Sequence, residues 1–305
     1  MSRWLRNILL LLAPVALAAC SARGDATRPV PTTRVEAARQ VLPAHDRRVV
    51  VMLPGRGDDL AGLQRRGAAQ IILSEWPDAD VILAGLTLPY YSSGVATRRL
   101  HDEVIAPLKL QGYRHIWVAG ISLGGLGALL YDQAYPGQLD GMLLLSPYLG
   151  DNAIQQEIRA AGGLSAWNPG PVQPMGPRTF QRELWRYLKQ WAQDPARTQT
   201  VWLAYGTNER FRAGIELMSP TLPAEHVRML PGRHNWALWN PALHQLLQAE
   251  QKQKGVRDNV GAAAACRAPA PWRNALSLPR PMHGIDPCPA PSAVAGNRES
   301  QPPAR

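Results

Sequence analysis

From Arg48 onward the chain alternates short apolar runs, rich in β-branched residues, with longer stretches in which apolar positions recur at helical spacing. That alternation predicts a mostly parallel sheet covered by helices on both faces, because parallel strands need a crossover to return and strands buried on both sides read as nearly continuous apolar runs. About six strands are expected, at 48–53, 80–84, 115–119, 141–146, 200–204 and 226–230. Helices should lie between them, over about 58–75, 94–110, 123–135, 179–193 and 208–218, with another at about 235–252 after the last strand. Pro136-Gly137 stops the third of these.

The pattern also marks out the flanks of a domain spanning 48–252. The stretch 149–198 is too long for a simple connection and carries Gly162-Gly163 and a Pro/Gly cluster at 169–177, which points to a small cap inserted into the domain. Residues 20–47 read as a polar, Pro-containing tether. Over 253–305 the composition turns to Ala, Pro, Arg and Ser with few large apolar residues. Such a segment buries too little to offset the entropy of ordering, so a disordered tail is expected.

Residues 1–19 have the layout of an export signal: Arg3 and Arg6 at the start, a short apolar run from Ile8 to Ala19, and small residues before Cys20. The run is shorter than the roughly 20 residues a spanning helix needs, and Pro14 interrupts it. Its ending, Leu17-Ala18-Ala19-Cys20, resembles the lipobox of bacterial lipoproteins. The resemblance implies cleavage before Cys20 and a diacylglycerol on its sulfur, and two or three acyl chains anchor a protein firmly to a membrane. Ser21 stands where an Asp would argue for inner-membrane retention, which implies the outer membrane of the bacterial envelope, facing the periplasm. An ordinary secretory signal with an incidental Cys20 is the alternative.

Composition narrows the partners. The formal charge of +10 comes from 33 Lys+Arg against 23 Asp+Glu, but the arginines are scattered and form no continuous basic stripe, and no aromatic-basic module accompanies them. Nucleic acid is therefore not an expected partner, whereas an anionic membrane surface is compatible with the charge. Apart from Cys20, the cysteines are Cys266 and Cys288, which an oxidising periplasm could join. No Cys-x-x-Cys or His-x-x-x-His spacing occurs, so neither a metal nor another cofactor is expected.

The strongest chemical signal is Gly120-Ile121-Ser122-Leu123-Gly124, a G-x-S-x-G sequence directly after an apolar strand and directly before a helix rich in small residues. A serine at such a sharp strand-to-helix turn faces the cleft in a strained backbone, and flanking glycines let neighbouring chain pass close by. A serine that merely caps the helix is the bland reading of the same residues.

At this point the chain, from about Arg48 to Leu247, resembles the α/β-hydrolase family. The resemblance implies an order of parts: an oxyanion loop after an early strand, the nucleophile elbow at Ser122, an acid after the penultimate strand, and a histidine after the last. His234, in Leu230-Pro231-Gly232-Arg233-His234-Asn235-Trp236, stands where the family places its base. A serine hydroxyl needs such a base to accept its proton. Glu209, in Tyr205-Gly206-Thr207-Asn208-Glu209, stands where members carry the acid that orients the imidazole, and Asp151 is the alternative, since some members place the carboxylate one strand earlier. The oxyanion donors would be the backbone amides of Leu123 and of Arg56, the latter in Leu53-Pro54-Gly55-Arg56-Gly57. The sheet reads as abbreviated at its N-terminal side, because the tether leaves little room for the two leading strands many members carry.

Tyr90, Tyr91, Trp236 and Trp239 are candidates to line a pocket for a small or amphiphilic acyl substrate. The first functional expectation is a carboxylic-ester hydrolase working through Ser122, His234 and Glu209 and an acyl-enzyme. Acyl transfer or amide cleavage by the same residues is a second, and a non-catalytic envelope lipoprotein that keeps the fold is a third.

Overall fold

The computed structural model describes residues 24–37 and 42–267. The segment read as an export signal, Cys20 and Cys288 lie outside the described residues, as does the side chain of Cys266. The chain forms two compact units, residues 1–251 and 252–305.

Seven strands form one sheet in the order β1-β3-β2-β4-β5-β6-β7. They are β1 (Thr32–Val35), β2 (Arg48–Leu53), β3 (Asp80–Ala84), β4 (His115–Ile121), β5 (Gly141–Leu145), β6 (Val201–Asn208) and β7 (Val227–Arg233). All neighbours are parallel except β1, which runs antiparallel to β3 with Thr32 opposite Ala84 and Val35 opposite Val81. Along β2 every residue is buried, and side chains alternate between two cores: Val49, Val51 and Leu53 belong to one, Val50 and Met52 to the other. That period of two, with apolar residues pointing both ways, is what a parallel strand sandwiched between helical layers requires.

The helices are α1 (Leu60–Arg65), α2 (Ala68–Glu75), α3 (Leu88–Ser92), α4 (Ala96–Leu100), α5 (Ala106–Leu110), α6 (Leu123–Ala134), α7 (Asn152–Ala160), α8 (Phe180–Gln193), α9 (Arg212–Met218) and α10 (Trp236–Arg267). Leu63, Ala69 and Ile72 of α1 and α2 pack on one face of the sheet with Leu243 and Leu247 of α10. The opposite face is covered by Leu100, Leu108, Leu126, Leu129 and Leu184 of α4, α5, α6 and α8.

Several expectations are corrected. Six strands become seven because β1 falls in the stretch read as a tether, so the N-terminal side of the sheet carries one antiparallel edge strand. It is pinned by polar contacts that an apolar pattern does not reveal. Asp80, wholly buried at the start of β3, accepts from the backbone N–H of Ala37 at 2.8 Å and from the Tyr113 hydroxyl, and pairs with Arg34 at 3.2 Å and Arg47 at 3.1 Å. A carboxylate without water needs such a set of donors. The helix expected over 58–75 is two, divided at Gly67, whose φ of +69° turns the chain between them. The helix expected over 94–110 passes through one π-helical turn, His101–Ile105. The stretch 149–198 contains α8, as expected, and also α7, an unexpected amphipathic helix that buries Ile154 and Ile158 one turn apart. The last helix does not end near 252 but continues to Arg267, into the segment expected to be disordered. Beyond Gln251 the segment is rich in Lys, Gln and Ala, residues that favour helix.

Candidate active site

β4 delivers Ser122 to the carboxyl rim of the sheet. The residue has φ +53° and ψ −107°, a left-handed conformation that a non-glycine residue adopts only under constraint from its surroundings. The constraint is visible on both sides. A Cβ on Gly120 would lie 2.3 Å from the Gly124 carbonyl oxygen, and one on Gly124 would lie 2.5 Å from the Leu53 carbonyl oxygen. Only glycine lets β4, the start of α6 and the end of β2 press together this closely. Ser122 N–H donates to Leu145 O at 2.9 Å, and Ser122 O accepts from Tyr148 N–H at 3.0 Å, which fixes the turn from its neighbour strand.

Two adjacent strands supply the partners. His234 follows β7 directly, and its Nε2 lies 2.9 Å from Ser122 Oγ. Glu209 follows β6 directly, and its Oε1 lies 2.7 Å from His234 Nδ1. An ionised carboxylate only accepts, so the ring proton resides on Nδ1 and Nε2 is left to accept from the serine hydroxyl. Glu209 Oε1 also accepts the Phe211 N–H at 3.1 Å. Burial alone would raise the Glu209 carboxyl, but hydrogen bonding to His234, the nearby Ser146 hydroxyl and the Phe211 amide outweigh it and hold the group below the ordinary carboxylate range. The imidazole is gripped edge to face by Phe211 and Trp239, each with ring centroids 4.9 Å away.

The structure thus brings together Ser122, His234 and Glu209, and it sets Asp151 apart. Asp151 stands before α7, where it accepts from the Tyr148 hydroxyl at 2.7 Å and from Gln181 Nε2 at 2.9 Å. These two hydrogen bonds lower its pKa. The carboxylate on His234 Nδ1 is that of Glu209, so the alternative acid is not the one in place.

Ser122 and His234 open into a cavity of about 640 Å³, well within the range of small-molecule sites. The loop after β2 forms one side: Gly55 packs on the elbow, where an added Cβ would lie 3.6 Å from that of Ser122, and Asp58 N–H closes the turn onto Gly55 O at 3.1 Å. Arg56 lies at this turn, and Leu123 is the first residue of α6, where backbone amides have no acceptor within the helix. Trp236 and Trp239 form the apolar wall. Tyr90 and Tyr91 do not line the cavity, which corrects the sequence expectation. Tyr90 is buried with its hydroxyl donated to the Arg28 and Pro29 carbonyls at 3.2 and 3.1 Å. The Tyr91 hydroxyl is buried against Gly127, and burial pushes its pKa up. Both sit on the short helix α3, where Tyr90 belongs to the core and Tyr91 packs against it.

Sequence reasoning missed Ser146, Phe211 and Asp58. Trp239 Nε1–H donates to Ser146 Oγ at 3.2 Å, and Trp236 Nε1–H donates to Asp58 Oδ2 at 2.8 Å. A serine just past an apolar strand carries no distinctive signal, whereas Asp58 was legible as a member of the glycine loop.

The parallel sheet with one antiparallel edge, the glycine-bounded elbow and the hydrogen-bonded chain from β4 to β7 to β6 define an α/β-hydrolase. Residues 97–249, half of the chain, match the family model described as a putative esterase, and the chain belongs to that family. No curated protein matches the sequence. Among solved structures, the chain is similar to a ferulic acid esterase (15% identity, 72% of this chain and 97% of that chain, TM-score 0.48). It is also similar to a monoacylglycerol lipase of Paleococcus ferrophilus (14%, 73% and 100%, TM-score 0.47) and to Est1E of Butyrivibrio proteoclasticus (13%, 72% and 93%, TM-score 0.47).

Proposed function

We propose that the protein hydrolyses carboxylic esters through a Ser122-His234-Glu209 triad and a covalent acyl-enzyme. The observation that carries this reading is the continuous chain from Ser122 Oγ to His234 at 2.9 Å and from His234 to Glu209 at 2.7 Å. Ser122 Oγ attacks the ester carbonyl while His234 Nε2 takes its proton. The carbonyl electrons move onto oxygen, which the backbone amides of Leu123 and Arg56 stabilise; one such donor is worth about 3 kcal/mol. Collapse expels the alcohol, protonated by His234, and leaves the acyl group on Ser122. Water then attacks with His234 again as base, releasing the acid. Glu209 stays ionised, fixes the ring tautomer and stabilises the imidazolium. Trp236 and Trp239 supply apolar contact for the substrate beside the reacting carbonyl.

In the same reading, the enzyme is held by lipid on Cys20 at the bacterial outer membrane, facing the periplasm. Support for the anchor comes from the charged start, the apolar run and Leu17-Ala18-Ala19-Cys20. Among the described residues, no helix is long and apolar enough to cross a membrane.

The decisive test treats the purified protein with a fluorophosphonate probe and assays a short p-nitrophenyl ester. Labelling and hydrolysis in the wild type, both lost in Ser122→Ala, are expected. A folded wild type that neither labels nor hydrolyses would overturn the enzyme in favour of a scaffold.

A further inference from the structure

The cavity over Ser122 is lined by three arginines, Arg56, Arg65 and Arg66, and by one acid, Asp58. All three arginines are exposed, and among the described residues none forms an ion pair. Elsewhere on the surface some exposed arginines pair with acids, as Arg98 does with Asp102 and Arg212 with Glu216, while others such as Arg114 and Arg178 do not; what marks these three is that they surround one cavity. Asp58, whose oxygens accept from Trp236 Nε1–H at 2.8 Å and Asp59 N–H at 3.1 Å and pair with none of the three, offsets one of these charges and leaves two in excess. The site's other carboxylate, Glu209, has a fully buried side chain behind the imidazole and is held by His234. The mouth of the cavity therefore presents unmatched positive charge.

The positions of the arginines give that charge a direction. Arg65 ends α1 and Arg66 follows it, and the guanidinium of Arg66 lies 5.9 Å from the Trp236 ring centroid. Trp236 is fixed in turn through Asp58, so an apolar plate and a cationic rim are tied to the loop that borders the elbow. A guanidinium presents a planar fork of donors that matches the oxygens of a carboxylate or a phosphate. A concave site lined by one sign of charge also raises the local concentration of the opposite one.

Resting on the triad reading above, we infer that the preferred substrates are esters carrying an oxyanion, a carboxylate or a phosphate, on the part of the molecule that does not react. The ester carbonyl meets Ser122 while the anion lies against Arg65 and Arg66. The bond broken is the ester bond of the proposed reaction, and the anion is unchanged by it.

Matched pairs of esters test this. Mono-p-nitrophenyl glutarate against p-nitrophenyl valerate places a carboxylate on the acyl side. The dibutyryl ester of glycerol phosphate against dibutyrylglycerol places a phosphate on the alcohol side. In at least one pair the charged ester should have the higher kcat/KM by about tenfold at low salt, with the gap narrowing as ionic strength rises. The pair that shows it identifies the source of the oxyanion. In Arg65→Gln/Arg66→Gln the ratio of charged to neutral kcat/KM should fall about fivefold or more. Turnover of both members of each pair at equal rates, or a gap that survives high salt and the double substitution, overturns this inference and leaves the esterase reading standing. No turnover of any ester, with no fluorophosphonate labelling, overturns the esterase reading itself.

Discussion

Trp239 holds Ser146 by a hydrogen bond from its indole Nε1–H to the serine Oγ at 3.2 Å, while its ring meets the His234 imidazole edge to face. Ser146 is fully buried directly after β5 and has φ +47°, the other non-glycine residue besides Ser122 with positive φ among those described. A strained residue whose hydroxyl also helps to keep Glu209 ionised is placed to position the acid. Ser146→Ala should lower kcat by about tenfold with little change in KM. Ser146→Gly should lose the same activity but unfold no more easily than the alanine variant, since glycine accepts this backbone without strain. Steady-state kinetics and urea melts on both variants separate the hydroxyl's effect on kcat from the backbone's effect on stability.

The two carboxylates weighed from the sequence now have different expectations. Glu209→Gln keeps the shape but loses the negative charge that stabilises the imidazolium and can turn an amide donor toward His234 Nδ1, and kcat should fall by about a hundredfold or more. Asp151→Asn, remote from that hydrogen bond, should stay within about threefold of wild type. The reverse ranking would refute the triad.

Glu209 also predicts how stability depends on pH. Its folded pKa lies below the unfolded value, so its charged form contributes stability above the ordinary carboxylate pKa, and that contribution disappears as pH falls through the lowered folded value. Wild type should therefore lose more stability than Glu209→Gln between neutral pH and roughly pH 3. Denaturant unfolding of both proteins at the two pH values measures the difference.

Gly124 tests the packing of the elbow. A methyl group there would lie 2.5 Å from the Leu53 carbonyl oxygen and 2.8 Å from the Leu53 side chain. Gly124→Ala should destabilise the fold by about 2 kcal/mol or more, because backbone on both sides must move. The displaced β2 loop should also weaken fluorophosphonate labelling of whatever protein remains folded.

The proposed membrane anchor has its own test. Cys20→Ala should move the protein to the soluble fraction, and metabolic labelling with a fatty-acid analogue should vanish with it. A variant that still partitions into detergent would refute the lipid.

The strands that build the site were legible because β2, β3 and β5 are buried on every residue, and a continuous apolar run survives any tertiary context. Ser122 and Glu209 were legible because each follows a largely buried strand directly, whereas β7 buries only Leu230 and His234 was legible through its place in the order of parts that the family resemblance implies. The rest failed for identifiable reasons. In β1, four residues long and alternately exposed and half-buried, the sequence Thr-Thr-Arg-Val has no apolar run, and the strand depends on a carboxylate far along the chain. Tyr90 and Tyr91 sit near the elbow in sequence pattern, but amphipathic rings serve a core as well as a pocket, and only tertiary packing decides between them. Arg65 and Arg66 fall inside the helix expected over 58–75 and carry no signal of their own; only the cavity brings them around Ser122.

The edge strand β1 has a mechanical consequence. Between it and the strand that carries Ser122 stand β3 and β2, and the strands leading to His234 and Glu209 lie farther still. A pull on the chain ahead of Thr32 would load the Asp80 cluster and four antiparallel pairings first. The N-terminal hem can thus fray and reseal while the reacting rim, across the width of the sheet, keeps its shape.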